Sequence, residues 1–419
     1  MKIKGWSKFS LNNSEKNKFN TKVFLSLNSS KTYIHRKKSL KNFLKTNQHT
    51  KDYYFSFCFR KIPFNYNFEV IKTVKKINEL RSRKIFIQLP EGLQKYYKTL
   101  SDTFGFHGFF SKRIVGSNQT TYGACCIDDL FFKTIGTEIC FHYGHSCLIP
   151  ISHCIISISY IFLEIYFDSS FFIESMKNKI FKKEIAWNLL ATIQFITCLK
   201  KVQKDLSESL KKIIVPQSKP LSPGEILGCT SPHFKYPKNI VYFGDGRFHI
   251  ESAMISSFNS RFFNYNPFSH SLFITDFTYK EYKKERGFIL FKSLFHTKNL
   301  GMLIGNLGRQ GSVKIYRKIK EILANRKILV FPLSLKEIYP DNLNIFGVFI
   351  LKTWTQIACP RLSYDWGKYF NYPLVSPYEL CFLMGFTSIT RYDYLMNYFS
   401  EKGSFWTSNA KSSSRFYLG

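Results

Sequence analysis

Alanine is almost missing from this chain, with 7 in 419 residues against 44 Phe and 25 Tyr. Acids are scarce as well: 28 Asp and Glu stand against 61 Lys and Arg, for a formal charge of +33. No apolar run reaches the roughly 18 residues that a membrane span needs. The longest candidate, CIISISYIFLEIYF (154–167), contains Glu164 and reads as buried strand, so no membrane partner is expected. The opening MKIKGWSKFS lacks the continuous apolar core of a secretory leader, which makes a cytoplasmic protein with reduced thiols the expectation. Ten Cys in that setting are metal ligands, catalytic groups or small buried hydrophobes rather than a disulfide framework. Neither CxxC nor CxxxCxxC occurs, which disfavours a zinc ribbon or a ferredoxin clip.

The positive charge is unevenly placed. Residues 1–50 carry 12 Lys or Arg and one acid, Glu15. They are Ser/Asn/Lys-rich and weakly periodic, so residues 1–60 are expected to form a basic, mostly disordered extension, with a targeting leader as the alternative. Abundant Phe, Lys, Asn, Ile and Ser with little Ala is what a strongly AT-biased gene encodes. The charge is therefore a poor argument for phosphate binding, and no direct nucleic-acid partner is expected.

With 44% hydrophobic residues, the remainder can bury real cores. From Lys84 the pattern alternates short β-rich runs with helical stretches. KIFIQLP (84–90), GTEICFHYG (136–144), SYIFLEIYF (159–167), NIVYFGDGRF (239–248), LGMLIGNLGRQG (300–311), RKILVFPLS (326–334) and FGVFILKTWTQIACP (346–360) read as strands. Residues 174–212 read as helix, and KEYKKER (280–286) as a solvated helix face. Near-continuous apolar strands alternating with helices predict an α/β fold with parallel sheets covered on both faces. Many of the 22 Gly stand at strand ends, among them Gly92, Gly144, Gly244 and Gly305. The crevice beyond those ends is where open α/β sheets bind ligands.

Three cysteines share this setting: Cys125 in TYGACCIDD, Cys229 in GEILGCTSP and Cys359 in TWTQIACPRLS, separated by 104 and 130 residues. Either each α/β unit sends one thiolate to a shared centre, or these are ordinary buried thiols. Three thiolates on a four-iron cluster would leave one iron open to a substrate.

IPFNYNFEVIKTVKKI, IQLPEGL, TYGACCIDDLFFKTIGTEICFHYGHSCLIP, VPQSKPLSPGEILGCTSP, YFGDGRFHIESAMI, LGRQGS and ACPRLSYDWG follow one another in that order. Together they resemble the first-subunit family of eukaryotic 2-(3-amino-3-carboxypropyl)histidine synthases, the diphthamide biosynthesis enzymes, from about Ile62 to about Trp406. The resemblance implies three similar Rossmann-like domains around a pseudo-threefold centre, here divided as 61–155, 156–278 and 279–400 with a loose tail at 401–419. It implies a [4Fe–4S] cluster on Cys125, Cys229 and Cys359. It also implies transfer of the 3-amino-3-carboxypropyl group from S-adenosylmethionine (S-adenosyl-L-methionine) to a histidine of elongation factor 2 by a radical route. The implied partners are the second synthase subunit in a heterodimer and a small iron-binding electron donor. One departure is YNPFSH (265–270), with Asn266 where an acid is usual in the family.

Other residues leave two readings open. Glu91 in LPEGL either caps a helix or meets the ligand's amino group. Asp245, Arg247 and His249 in GDGRFH, and Arg309, Gln310, Gly311 and Ser312 in LGRQGS, either line the S-adenosylmethionine pocket or stabilise turns. Cys126, Cys140, Cys147 and Cys154 are expected to be buried apolar thiols rather than a second metal site, and Cys58, Cys198 and Cys381 structural. His142 and His145 are expected to be satisfied histidines near a strand end rather than iron ligands. A non-catalytic scaffold subunit of the same complex and a basic RNA- or ribosome-binding protein are the competing functions.

Overall fold

The computed structural model describes residues 61–107, 113–116, 123–177, 186–207, 212–295, 298–347, 351–389, 394–401, 404 and 406–408. The basic extension expected over 1–60, with Cys58, lies outside the described residues.

A short antiparallel pair, β1 (Tyr66–Asn67) with β6 (Glu164–Ile165), closes one edge of the fold. Three larger sheets carry it. The first holds β2 (Lys84–Gln88), β3 (Arg113–Gly116), β4 (Ile139–Tyr143) and β5 (Ser157–Ile161) in the order β3-β2-β4-β5, all parallel. The second holds β7 (Trp187–Ala191), β8 (Ile213–Ile214), β9 (Asn239–Phe243), β10 (Arg261–Asn266) and β11 (Ser271–Thr275) in the order β11-β10-β9-β7-β8, with only β11 antiparallel. The third holds β12 (Asn299–Gly305), β13 (Leu329–Leu335), β14 (Trp354–Ile357) and β15 (Leu374–Val375) in the order β13-β12-β14-β15, all parallel. Within each sheet the first strand in sequence lies between the second and the third, and the fourth lies beyond the third. The α/β expectation holds, with one doubly-wound order used three times.

Burial explains the strand sequences. Ile85 and Ile87 of β2 enter a core shared with Phe141 and Tyr143 of β4, Leu189 of β7 and Phe243 of β9. Phe86 faces the other way, into a second core with Cys140, Met302 of β12 and Ile357 of β14. With both faces covered, alternation of polar and apolar residues disappears and the strands read as continuous apolar runs.

Four expectations are corrected. The division at 155/156 falls inside the first sheet, because Ser157–Ile161 pairs residue for residue with β4. The helix expected over 174–212 is two helices, Ser170–Lys177 and Ile196–Ser207, with the buried strand β7 between them. The KEYKKER face is not wholly solvated: Arg286 is buried and grips Glu379 at 2.8 and 2.5 Å. The tail is not loose throughout, since Trp406 is buried and packs on Tyr378 at 5.2 Å between ring centroids.

Candidate metal centre

Cys125 lies in a tight turn ahead of the helix Asp129–Thr134, where the Cys126 N–H donates to the Gly123 carbonyl at 2.9 Å. Cys229 lies in the turn closed by Leu227 and Thr230, and the Tyr398 N–H donates to its carbonyl at 3.2 Å. Cys359 leaves β14 and is the N-cap of the helix Pro360–Trp366. Gln356 fixes that exit: its amide donates to the Cys359 carbonyl at 2.9 Å and accepts from the Ala358 N–H at 2.8 Å.

Each of the three thiols lies within electrostatic reach of the other two, and all three reach the phenol of Tyr398. They come from loops attached to three different sheets. The Cys126 contact and then burial hold the Cys125 thiol well above its ordinary value. Burial pushes Cys229 up to about 12 and Cys359 up to about 11. Without a cation between them the three therefore stay protonated, and a metal centre would have to displace their protons.

The surroundings suit an anionic centre. Arg361 is buried, and its charge lowers both Cys229 and Cys359 against the effect of burial. Its guanidinium donates to the carbonyl of Phe248 at 2.7 Å and to Glu251 and Asp365 at 2.8 and 2.9 Å, so it is held in one place. Cys359 also stands at a helix N-terminus, where backbone N–H groups favour thiolate. Thiolates around a lone tetrahedral ion with bonds of about 2.3 Å stand about 3.8 Å apart. Among the described residues no three His, Cys, Asp or Glu are grouped to hold such an ion. Three desolvated sulfurs in mutual reach, with Arg361 beside two of them, are a donor set that fits a thiolate-bound metal centre.

Of the two readings left open for the LGRQGS loop, its contacts are those of turn stabilisation. The Arg309 guanidinium is taken by Asp129, with two bonds of 2.8 and 2.6 Å, and its backbone N–H donates to the Cys125 carbonyl at 2.8 Å. The Gln310 amide donates to the Cys126 sulfur at 3.5 Å. Ser312 caps the helix Val313–Asn325 by accepting from the Ile315 N–H at 3.4 Å. Gly308 has φ +58°, and a Cβ there would lie 2.7 Å from the Cys126 backbone, which only glycine allows. A Cβ on Gly311 would lie 2.3 Å from the Gly305 carbonyl. The loop from the third sheet is thus a latch over the Cys125 turn.

Glu91 is exposed, opens a 3₁₀ turn after Pro90 and makes no side-chain cap. Asp245 is exposed, and its charge reaches Tyr66, Tyr242 and His249. Burial holds His249 down to about 4 and His145 likewise to about 4. His142 is only half satisfied: Nδ1 meets Gln88 Oε1 at 2.7 Å, while Nε2 has no partner among the described residues. Its ring stacks on His145 at 5.1 Å. Cys140, Cys198 and Cys381 are buried, whereas Cys147 is exposed. Tyr398, Arg361, Gln356 and Gln88 were not singled out from sequence. Arg361 and Gln356 flank Cys359 in TQIACPRLS, which was the available signal; Tyr398 has none.

Three largely parallel α/β sheets with one strand order, bringing three thiols within reach of one another, define an α/β protein with a shared thiol centre. The sequence profile of the diphthamide synthesis protein family matches residues 89–395. Proteins named 2-(3-amino-3-carboxypropyl)histidine synthase subunit 1 are similar over most of the chain. That of Dictyostelium discoideum is 39% identical over 84% of this chain and 75% of its own length. The Homo sapiens protein is 38% identical over 76% of this chain and 72% of its own. Crystal structures of Dph2 from Pyrococcus horikoshii share the fold at TM-scores of 0.63 and 0.64, with 20% and 19% identity over 78% of this chain and 93% and 94% of theirs. The second of these is described as carrying a 4Fe-4S cluster. The chain belongs to the diphthamide synthesis protein family. Among its described residues no helix is long and apolar enough to cross a membrane.

Proposed function

We propose that this chain is the catalytic subunit that transfers the 3-amino-3-carboxypropyl group of S-adenosylmethionine to a histidine imidazole carbon of elongation factor 2, the first step of diphthamide biosynthesis. The convergence of Cys125, Cys229 and Cys359 from three sheets carries this reading. These residues would hold a [4Fe–4S] cluster, which when bound supplies the electron that cleaves the sulfonium and leaves a carbon radical. The relatives' shared name and the archaeal neighbour's cluster support it.

The chain's own residues have defined duties under this proposal. Arg361 offsets negative charge at Cys229 and Cys359, held rigid by Glu251 and Asp365. Gln356, Tyr398 and the Gly308–Ser312 latch fix the turns that present the sulfurs, so the geometry is set before the ligand arrives. Tyr398, with Tyr364, Met396 and Trp406, lines a cleft that reaches Cys229. Glu91, Asp245 and His249 remain as candidate contacts to the amino acid part of S-adenosylmethionine, because their side chains are not consumed by latch or cap. Arg309, Gln310, Gly311 and Ser312 would act on that pocket through the loop they shape. The second synthase subunit, the iron-binding electron donor and a cytoplasmic setting belong to the same proposal, as do three domains, one per sheet.

The test is anaerobic reconstitution with the second subunit, elongation factor 2, dithionite and carboxyl-labelled S-adenosylmethionine. Label is expected on the factor, and Cys125→Ala, Cys229→Ala and Cys359→Ala are each expected to abolish transfer. Full transfer by any one of them would refute the assignment.

A further inference from the structure

A fourth thiol stands at the centre. Cys126 is buried, its side chain is hydrogen-bonded to that of Cys125, and it lies within electrostatic reach of Cys359. It is held from several sides: the Gln310 Nε2 donates to its sulfur at 3.5 Å, Gln88 Nε2 donates to its carbonyl at 2.9 Å, and its N–H donates to the Gly123 carbonyl at 2.9 Å. Gln310 is fixed in turn, since its carbonyl accepts from the Tyr398 hydroxyl at 3.4 Å.

A Cys125 that coordinates iron has lost its proton. The contact between the two side chains can then persist in one direction only, with the Cys126 S–H as donor and the Cys125 sulfur as acceptor. Two thiols in hydrogen-bond contact are also too close to occupy separate corners of one cubane, so Cys126 does not suit a fourth ligand beside Cys125. We infer that Gln310, Cys126 and Cys125 form a hydrogen-bond relay, Gln310 N–H to Cys126 sulfur and Cys126 S–H to Cys125 sulfur, which sets the reduction potential of the centre. Gln310 and Cys126 are positioning residues that act through a ligand. This rests on the proposed cluster.

The physical reason is charge. Reduction adds one negative charge that spreads onto the ligand sulfurs, and a donor aimed at one of them stabilises the reduced form more than the oxidised form. The Cys126 proton stays on its sulfur throughout. The Gln310 N–H polarises that S–H and strengthens it as a donor. A plain buried methylene in place of the thiol would fill the same space but donate no hydrogen bond, and the potential would fall.

The test uses the full chain reconstituted anaerobically, with iron and acid-labile sulfide counted and the midpoint potential read by electron paramagnetic resonance during a reductive dye titration. Cys126→Ala is expected to retain the cluster and to titrate at a more negative potential than wild type. Cys126→Ser, which keeps an O–H donor, is expected to return towards the wild-type value. Gln310→Leu is expected to move it in the negative direction by less, and to add nothing to Cys126→Ala. An unchanged midpoint in Cys126→Ala with full iron content overturns the relay, as does retention of the cluster by Cys125→Ala with loss in Cys126→Ala, which would make Cys126 the ligand. A wild-type chain that takes up no iron and sulfide overturns the proposed function itself, and the relay with it. Should Cys126→Ala not fold, Gln310→Leu decides: a wild-type midpoint there, with full iron content, overturns the relay.

Discussion

Gly308 shows what a single position can demand. It combines φ +58° with a backbone approach that leaves 2.7 Å between a would-be Cβ and the Cys126 backbone. Gly308→Ala must push the latch off the Cys125 turn, at a cost of roughly 2 kcal/mol. Urea unfolding should show that loss together with lower iron uptake, whereas wild-type uptake would mean the latch does not position Cys125. Asp129 gives a pH signature. Burial opposes its ionisation, but Arg309 and the Ile155 N–H hold its carboxyl below the ordinary value of 3.8. A lowered folded pKa supplies stability that is fully present above the unfolded value and lost as the pH falls through the folded one. Asp129→Asn should therefore cost about 1–3 kcal/mol at pH 7, with the gap to wild type closing below about pH 4. A gap that does not change with pH would show that the carboxylate charge is not what Arg309 holds. Sequence made Arg309, Gln310 and Ser312 visible as a polar glycine turn. It did not show their partners, because Asp129 lies 180 residues from Arg309 and only the fold brings them together.

At the scale of elements, legibility followed burial. β2, β4, β9 and β12 are apolar runs that stop near Gly or Pro, and each was expected as a strand. β7 was hidden because WNLLA runs without a turn signal into the helix Ile196–Ser207, so an apolar run of five merged with a helical pattern. The hairpin of β10 and β11 escaped notice because Asn264 and Asn266 interrupt its aromatic residues. β7 is an interior strand of the second sheet, paired on both sides, and Leu189 within it is fully buried. Leu189→Ala should cost roughly 2–5 kcal/mol, and the Leu189 and Leu190 amides should exchange hydrogen only through global unfolding. Rapid exchange there would contradict a central strand.

At the scale of the whole molecule, the three sheets use one strand order, but the cysteines do not sit at equivalent places in it. Cys125 and Cys229 precede the third strands of their sheets, β4 and β9, whereas Cys359 follows the third strand of its own, β14. The third thiol therefore stands at a helix N-cap, and Arg361, two residues on, supplies the buried positive charge. The motif blocks made the three proposed ligands legible. The charge on the centre, the latch and the fourth thiol needed the packed structure. Everything proposed for the chain depends on one inorganic centre shared by three sheets, so iron and acid-labile sulfide per chain after anaerobic reconstitution test it most directly. About four irons per chain are expected in wild type, with a dithionite-induced paramagnetic signal, and each of Cys125→Ser, Cys229→Ser and Cys359→Ser should lose most of both. Wild-type iron content in any one of the three would contradict a shared centre.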